Sequence, residues 1–353
     1  MMSPPSDLPH SAEAQRLHAD AVVFVLHDHF YHRLDANLAL REGGVTAKTV
    51  VPIGDLAIYN DTPAEDDLEF YRRTLAQAEG WARESLVRLE RARQLFESRP
   101  DHFLIAQAAD DVPRAKREGK AAIFFGCEGC KAFEGRIELL RVFHRLGVRQ
   151  MQLIWTNPNQ LVDAGSRRLS GFGREAVAAM NELGVVIDLA HAPRSLFEDV
   201  VARSAHPVIV SHGAPAGAHP GSGDISAAHL DALKACGGLL GLHFCRHYIN
   251  GPFATFDDFL ATVDYLFENG CEDVVALGGD LFEDDAYFRA RHGPPAGATH
   301  ETWKVFIEEL SDLRLLPNLT RGLVGRGYPE GAVKKILGEN ALRVYRRVLG
   351  SQP

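Results

Sequence analysis

The apolar positions of this chain fall into short, nearly unbroken runs, separated by longer stretches in which apolar residues recur at helical spacing. Eight runs have strand length: residues 22–30, 45–53, 121–125, 149–155, 185–191, 207–212, 238–244 and 274–280. They are continuous rather than alternating, as expected of strands covered on both faces in a parallel sheet. From residue 121 onward they alternate with stretches that read as helix, at 137–146, 173–183, 195–204, 227–236 and 256–269. Gly147 and Gly184 stop the first two. Further helices are predicted at 301–316, 329–337 and 341–349, with a long one, or two shorter ones, running through Leu68, Tyr71, Leu75, Trp81, Leu86, Leu89 and Phe96. Residues 63–67 supply an acidic helix start. Strand count and order predict an α/β fold, a single (β/α)₈ barrel over residues 21–350 rather than two domains. Residues 1–20 read as a partly disordered leader with a short helix near 15–19.

Composition narrows the function classes. The 353 residues carry a formal net charge of -9 and no Lys/Arg-rich tract, which argues against a nucleic-acid partner. No apolar run reaches membrane-spanning length and the start lacks the basic and apolar parts of an export signal, so a cytoplasmic protein without a membrane partner is expected. The five cysteines do not pair into a disulfide framework. Cys127 and Cys130 form a lone C-x-x-C, weak evidence for redox chemistry or zinc.

The strand ends change the picture. The first run closes on His27 and His29, the third meets Glu128, the fifth ends at His191, the sixth at His212 and the eighth at Asp280. Each alone has an ordinary explanation as a core histidine, a loop cap or a surface charge. In a barrel, however, all strands end on one rim, where active sites lie. Six metal-compatible residues there suggest two divalent ions: His27 and His29 on one, His191 and His212 on the other, Glu128 bridging them, and Asp280 ligating or holding a water. Zinc is the first choice and manganese or cobalt are possible, since imidazole and carboxylate donors accept several ions. A hydroxide bridging two ions is a nucleophile at neutral pH, and Asp280 is placed to take its proton and pass it to a leaving nitrogen.

These residues stand within longer motifs. Glu128-Gly129, residues 146–149, 172–175 and 180–184, Asp188-Leu189-Ala190-His191, Ser211-His212, Gly278-Gly279-Asp280 and residues 338–344 occur in an order and spacing that resembles the membrane dipeptidase (renal dipeptidase) family, peptidase family M19. The likeness runs from about residue 21 to residue 349. It implies a metal-dependent hydrolase of small amides or peptides with a binuclear zinc site, often dimeric, with the six residues above as ligands and Glu128 and Asp280 as the catalytic carboxylates. Three departures separate this chain from that pattern. His29 stands where the family usually has aspartate, which removes one negative charge. Trp155 stands where many relatives have a substrate-binding histidine, as a pocket wall or packed under the rim, with Asn157 nearby as an amide donor. Gly223 stands where a carboxylate-clamping arginine is common. Either Arg246, beyond the seventh strand, supplies that charge, or the substrate has no free carboxylate there. His243, Arg246 and His247 are further candidates for substrate contact, and residues 281–300 for a lid. The alternatives to a dipeptidase are hydrolysis of a lactam, lactone or other non-dipeptide bond, and a non-catalytic metal-binding barrel.

Overall fold

The computed structural model describes residues 11–55, 80–155, 159–282, 296, 299 and 303–350. Its strands are β1 (Phe24–Asp28), β2 (Ala47–Gly54), β3 (Phe103–Ile105), β4 (Ala121–Glu128), β5 (Val148–Gln152), β6 (Val186–Asp188), β7 (Ile209–Gly213), β8 (Leu239–His243) and β9 (Val275–Leu281). All pairings are parallel. β1, β2, β4, β5, β6, β7, β8 and β9 follow one another around a ring, closed by the pairings of β2 with β4 and of β9 with β1. This is the (β/α)₈ barrel that the continuous apolar runs predict. β3 is an addition: its three residues pair with the first residues of β4, alongside the ring. A run of three residues is too short to stand out from the sequence pattern.

The floor of the barrel is an aromatic plug. The rings of Phe24 and Phe124 stack at 5.6 Å, and Tyr345 lies 4.7 and 5.0 Å from them. Tyr345 belongs to the closing helix Asn340–Leu349, which Asn340 ties down by donating to the carbonyls of Val275 and Glu272. The phenol of Tyr345 is fully buried, donates to Gln150 Oε1 at 2.6 Å and sits 2.8 Å from the Thr49 hydroxyl. A buried hydroxyl needs such partners to offset its lost hydration.

The helices on the outside have legible ends. Ser170 caps Gly171–Leu183 through the amide of Gly173, and Gly184 closes it at φ 67°. Ser226 and Thr255 form capping boxes for Ala227–Cys236 and Phe256–Glu268. Trp81–Glu97 is the described part of the long helical stretch; the predicted start at 63–67 and the residues to 79 lie outside the described residues.

Two sequence expectations need correction. Ser11–Asp20 is a ten-residue helix packed against the helix Pro317–Gly325, so this part of the expected leader belongs to the barrel's outer layer. It buries Ala14, Leu17 and His18, with His18 Nε2 2.9 Å from the Gly43 carbonyl and Nδ1 2.7 Å from the Thr320 hydroxyl. The helix predicted over 301–316 is also absent from its described part, 303–316, which holds only two 3₁₀ turns. Val305, Phe306 and Ile307 are all buried, and Phe306 bridges Cys245 in antiparallel fashion while Ile307 N–H donates to the Phe244 carbonyl. Three consecutive buried apolar residues suit an extended segment, not one helical face, and the helix starts at Pro317 instead.

Candidate metal centre

The rim gathers all six residues expected there. His27 is the penultimate residue of β1 and His29 follows the strand, with their Nε2 atoms 3.2 Å apart. Asp280, on β9, places Oδ1 3.0 Å from His29 Nε2 and 3.6 Å from His27 Nε2. Glu128, the last residue of β4, lies between the two histidine pairs. Its Oε2 is 3.6 Å from His29 Nε2, and its Oε1 is 3.4 Å from His191 Nε2 and 3.9 Å from both His27 and His212 Nε2. His191, three residues past β6, and His212, on β7, bring their Nε2 atoms to 3.0 Å. Donors about 2.0–2.1 Å from a tetrahedral ion lie roughly 3.3 Å from one another, so this spacing fits shared coordination. His191 and Asp280 are also two of only four non-glycine residues with positive φ among the described residues, at 62° and 55°. Backbone held in that region is characteristic of functional positions over-determined by their surroundings.

Polar groups behind the rim aim these side chains. Ser211 Oγ lies 2.9 Å from His212 Nδ1, leaving Nε2 for the centre. Asp188 Oδ1 accepts from the amides of Ser211 and Ala190, fixing the strand end and the loop to His191, while its Oδ2 accepts from Gln150 Nε2. Because Gln150 also takes the Tyr345 hydroxyl, a continuous polar chain joins the floor to the rim. On the opposite side, Asp28 Oδ1 accepts from Lys48 Nζ at 2.9 Å and from the Phe30 amide at 2.7 Å, pinning the turn that carries His29. After Glu128 the chain turns at Gly129, φ 91°, where a Cβ would come within 2.2 Å of the Asp55 carboxyl carbon. Only glycine permits that approach. Lys48, Asp28 and Asp188 receive no role of their own from the sequence, although a charged residue inside an otherwise apolar strand is a signal.

The electrostatics suit a cation. Burial holds His27 and His212 well below the ordinary histidine value, so both are neutral with lone pairs to offer. Burial acts the same way on His29, but Glu128 and Asp280 outweigh it and raise it to about 9. Burial opposes charge on Glu128 and Asp280 too, yet the surrounding histidines, His29 foremost, hold both carboxyls below their usual range. The two buried carboxylates thus draw a proton onto His29, and divalent ions would meet the same demand for positive charge with all donors deprotonated. The residues present fit such ions.

Comparison with known proteins decides the family. The profile of "Membrane dipeptidase (Peptidase family M19)" matches residues 41–288 and 296–351. The chain belongs to the membrane dipeptidase family. Among curated members of like sequence, Dipeptidase tcpJ of Claviceps purpurea is 29% identical over 272 residues, 75% of this chain and 60% of that protein. Dipeptidase verJ of Clonostachys rogersoniana is 27% identical over 86% of this chain and 72% of its own length. Among solved structures, an amidohydrolase from Pseudomonas aeruginosa superposes with TM-score 0.78 at 27% identity, covering 96% of this chain and 99% of that one. A metallopeptidase from Rhodobacter sphaeroides, solved with a phosphinate mimic of the dipeptide L-Ala-D-Ala, has the same fold with TM-score 0.74 at 20% identity, over 93% of this chain and all of its own. Use of divalent metal goes with the metallopeptidase family.

The departures from the family pattern acquire physical content. Gly223 adopts φ 81° in a loop folded on itself by the Pro215–Ile225 bridge, and a Cβ there would sit 2.5 Å from the Pro215 carbonyl oxygen. No arginine fits that backbone. Arg246, offered as its substitute, donates through Nε to the Phe306 carbonyl at 3.0 Å and reaches Glu308 at 3.6 Å. Those contacts tie its guanidinium to the 306–308 segment. Trp155 is buried just beyond β5, while Asn157 lies outside the described residues, as does most of the expected lid at 281–300. His243 is fully buried beside the centre, with Nε2 3.5 Å from Asp280 Oδ2. The sulfurs of Cys127 and Cys130 are 4.0 Å apart, both free and buried. No helix among the described residues is long and apolar enough to cross a membrane.

Proposed function

We propose that this chain is a dipeptidase-like metallohydrolase that cleaves a small amide or peptide bond. The observation that carries the reading is Glu128, whose two oxygens face opposite histidine pairs, His29 on one side and His191 on the other. His27, His29 and Asp280 would hold one divalent ion, His191 and His212 the other, with Glu128 between them, and zinc is the natural first candidate for so many imidazoles. Bound there, two such ions would polarise the scissile carbonyl and acidify a water at neutral pH. The protein's own part is to keep these donors deprotonated, fixed in direction and buried. Asp280 sits at the edge of the centre, where its carboxylate can take a proton and return it to the departing nitrogen. The dipeptide mimic bound by the Rhodobacter relative supports a substrate of dipeptide size.

The closed backbone at Gly223 and the contacts of Arg246 favour a second reading of the substrate, one without a free terminal carboxylate: a blocked dipeptide, lactam or lactone. A hydrolysis panel of free dipeptides, C-terminally blocked dipeptides, lactams and lactones, run with zinc, cobalt or manganese, tests both. Turnover of any of these that needs the metal is expected, with blocked substrates equal to or better than free ones. Strong preference for a free carboxylate removes the second reading, and no metal-dependent turnover of the whole panel removes the first.

A further inference from the structure

His243 ends β8 with 1% of its surface exposed, its ring lying flat on that of Tyr248 at 4.0 Å and 3°. Neither ring nitrogen has a hydrogen-bond partner among the described residues. Burying an imidazole with both nitrogens unpaired forfeits hydration without return, and such groups call for an explanation. The nitrogens are nonetheless close to the rim donors: Nε2 is 3.5 Å from Asp280 Oδ2, and the ring meets that of His212 edge-on at 5.1 Å. His243, His212 and Asp280 offer donor atoms that all lie within 4.8 Å of one another, the same closeness that groups His27 with His29 and Asp280, and His27 with Glu128 and His212. Asp280 divides its oxygens accordingly, Oδ1 toward His29 and Oδ2 toward His243.

We propose that His243 is a ligating side chain of the metal centre rather than a substrate contact. The inference rests on the reading that these rim residues hold divalent ions. It makes the donor set five imidazoles, His27, His29, His191, His212 and His243, with two carboxylates, Glu128 and Asp280. A set so weighted toward nitrogen selects zinc, cobalt, nickel or copper over magnesium, calcium or manganese, which prefer oxygen. The flat stack on Tyr248 fixes the ring plane, as orientation of a metal ligand requires.

The test is a titration of metal-stripped full-length wild type, His243→Gln and His243→Asn with zinc and with cobalt, reading stoichiometry, affinity against a competing chelator and the visible spectrum of the cobalt form. Both amides keep a polar side chain at this position but are poor ligands for these ions. Expected are weaker binding of one ion by about tenfold or more in both variants and a changed cobalt spectrum. Zinc is also expected to bind the wild type far more tightly than manganese. Variants that match the wild type in stoichiometry, affinity and spectrum, with only KM altered, overturn the inference in favour of a pocket wall and leave the proposed function standing. A wild type that takes up no ion overturns both. If neither variant folds, Tyr248→Leu carries the test by releasing the ring without deleting it: a shifted cobalt spectrum supports ligation, and an unchanged one contradicts it.

Discussion

The two ends of this barrel solve opposite problems. At the floor, Phe24, Phe124 and Tyr345 pack without exposed surface, and the buried hydroxyl of Tyr345 finds two partners in Gln150 and Thr49. At the rim, five imidazoles and two carboxylates crowd together, His27 Nδ1 and both nitrogens of His243 lack partners among the described residues, and two residues hold left-handed backbone. The floor is arranged for stability. The rim is arranged for chemistry at the expense of stability, and the rest of the fold compensates for it. Between them runs the chain Tyr345–Gln150–Asp188–Ser211–His212, by which the satisfied end orients the unsatisfied one.

Substitutions should separate the two ends. The largest effect is expected from Glu128→Gln, which removes the bridging charge: kcat/KM should fall about 10³-fold or more, while the thermal midpoint of the metal-free protein stays near wild type. A large loss of metal-free stability with activity retained would reverse the assignment of the rim. Lys48→Met should cost both properties. It strands Asp28 in a buried site beside the ligand turn, destabilising the fold by about 3–5 kcal/mol in urea unfolding and weakening metal uptake. Retention of wild-type stability would mean that the Lys48–Asp28 pair does not tie β1 to β2. Tyr345→Phe should cost only stability, about 1–3 kcal/mol, because Gln150 Oε1 loses its donor. An equal loss in kcat/KM would show that the polar chain transmits more than orientation.

A smaller effect belongs to neither end. Burial, with Lys116 and Arg321 nearby, depresses His18, while its bond to the Gly43 carbonyl works the other way. The folded state therefore binds this proton less readily than the unfolded chain. The contribution of His18 is present above its ordinary value of 6.5 and lost as pH falls through and below it. Hydrogen exchange in the helix Ser11–Asp20 should accelerate on acidification in wild type and lose that dependence in His18→Gln. Exchange independent of pH, after correction for the intrinsic rate, would contradict this.

The barrel was legible because its strands are buried on both sides and so appear as unbroken apolar runs, and the rim because six potential ligands sit at the ends of those runs. Contacts that depend on three-dimensional packing were not. Nothing local marks Lys48 as the partner of Asp28, and that Val305, Phe306 and Ile307 are all buried, as an extended segment allows, shows only in the folded structure. Position in the chain leaves Arg246 open as a carboxylate clamp, and its contacts to Phe306 and Glu308 show only in the folded structure. The position of His243 at the end of an apolar run is visible in the sequence, yet its lack of partners among the described residues shows only once its neighbours are in place.

The central claim is that Glu128 joins two histidine pairs into one centre for two ions. Counting the ions bound by purified wild type and Glu128→Gln after dialysis against a metal-replete buffer, by elemental analysis, tests it most directly. About two equivalents are expected in the wild type and a clear loss in the variant. No bound metal in the wild type, or the same count and affinity in both proteins, would contradict it.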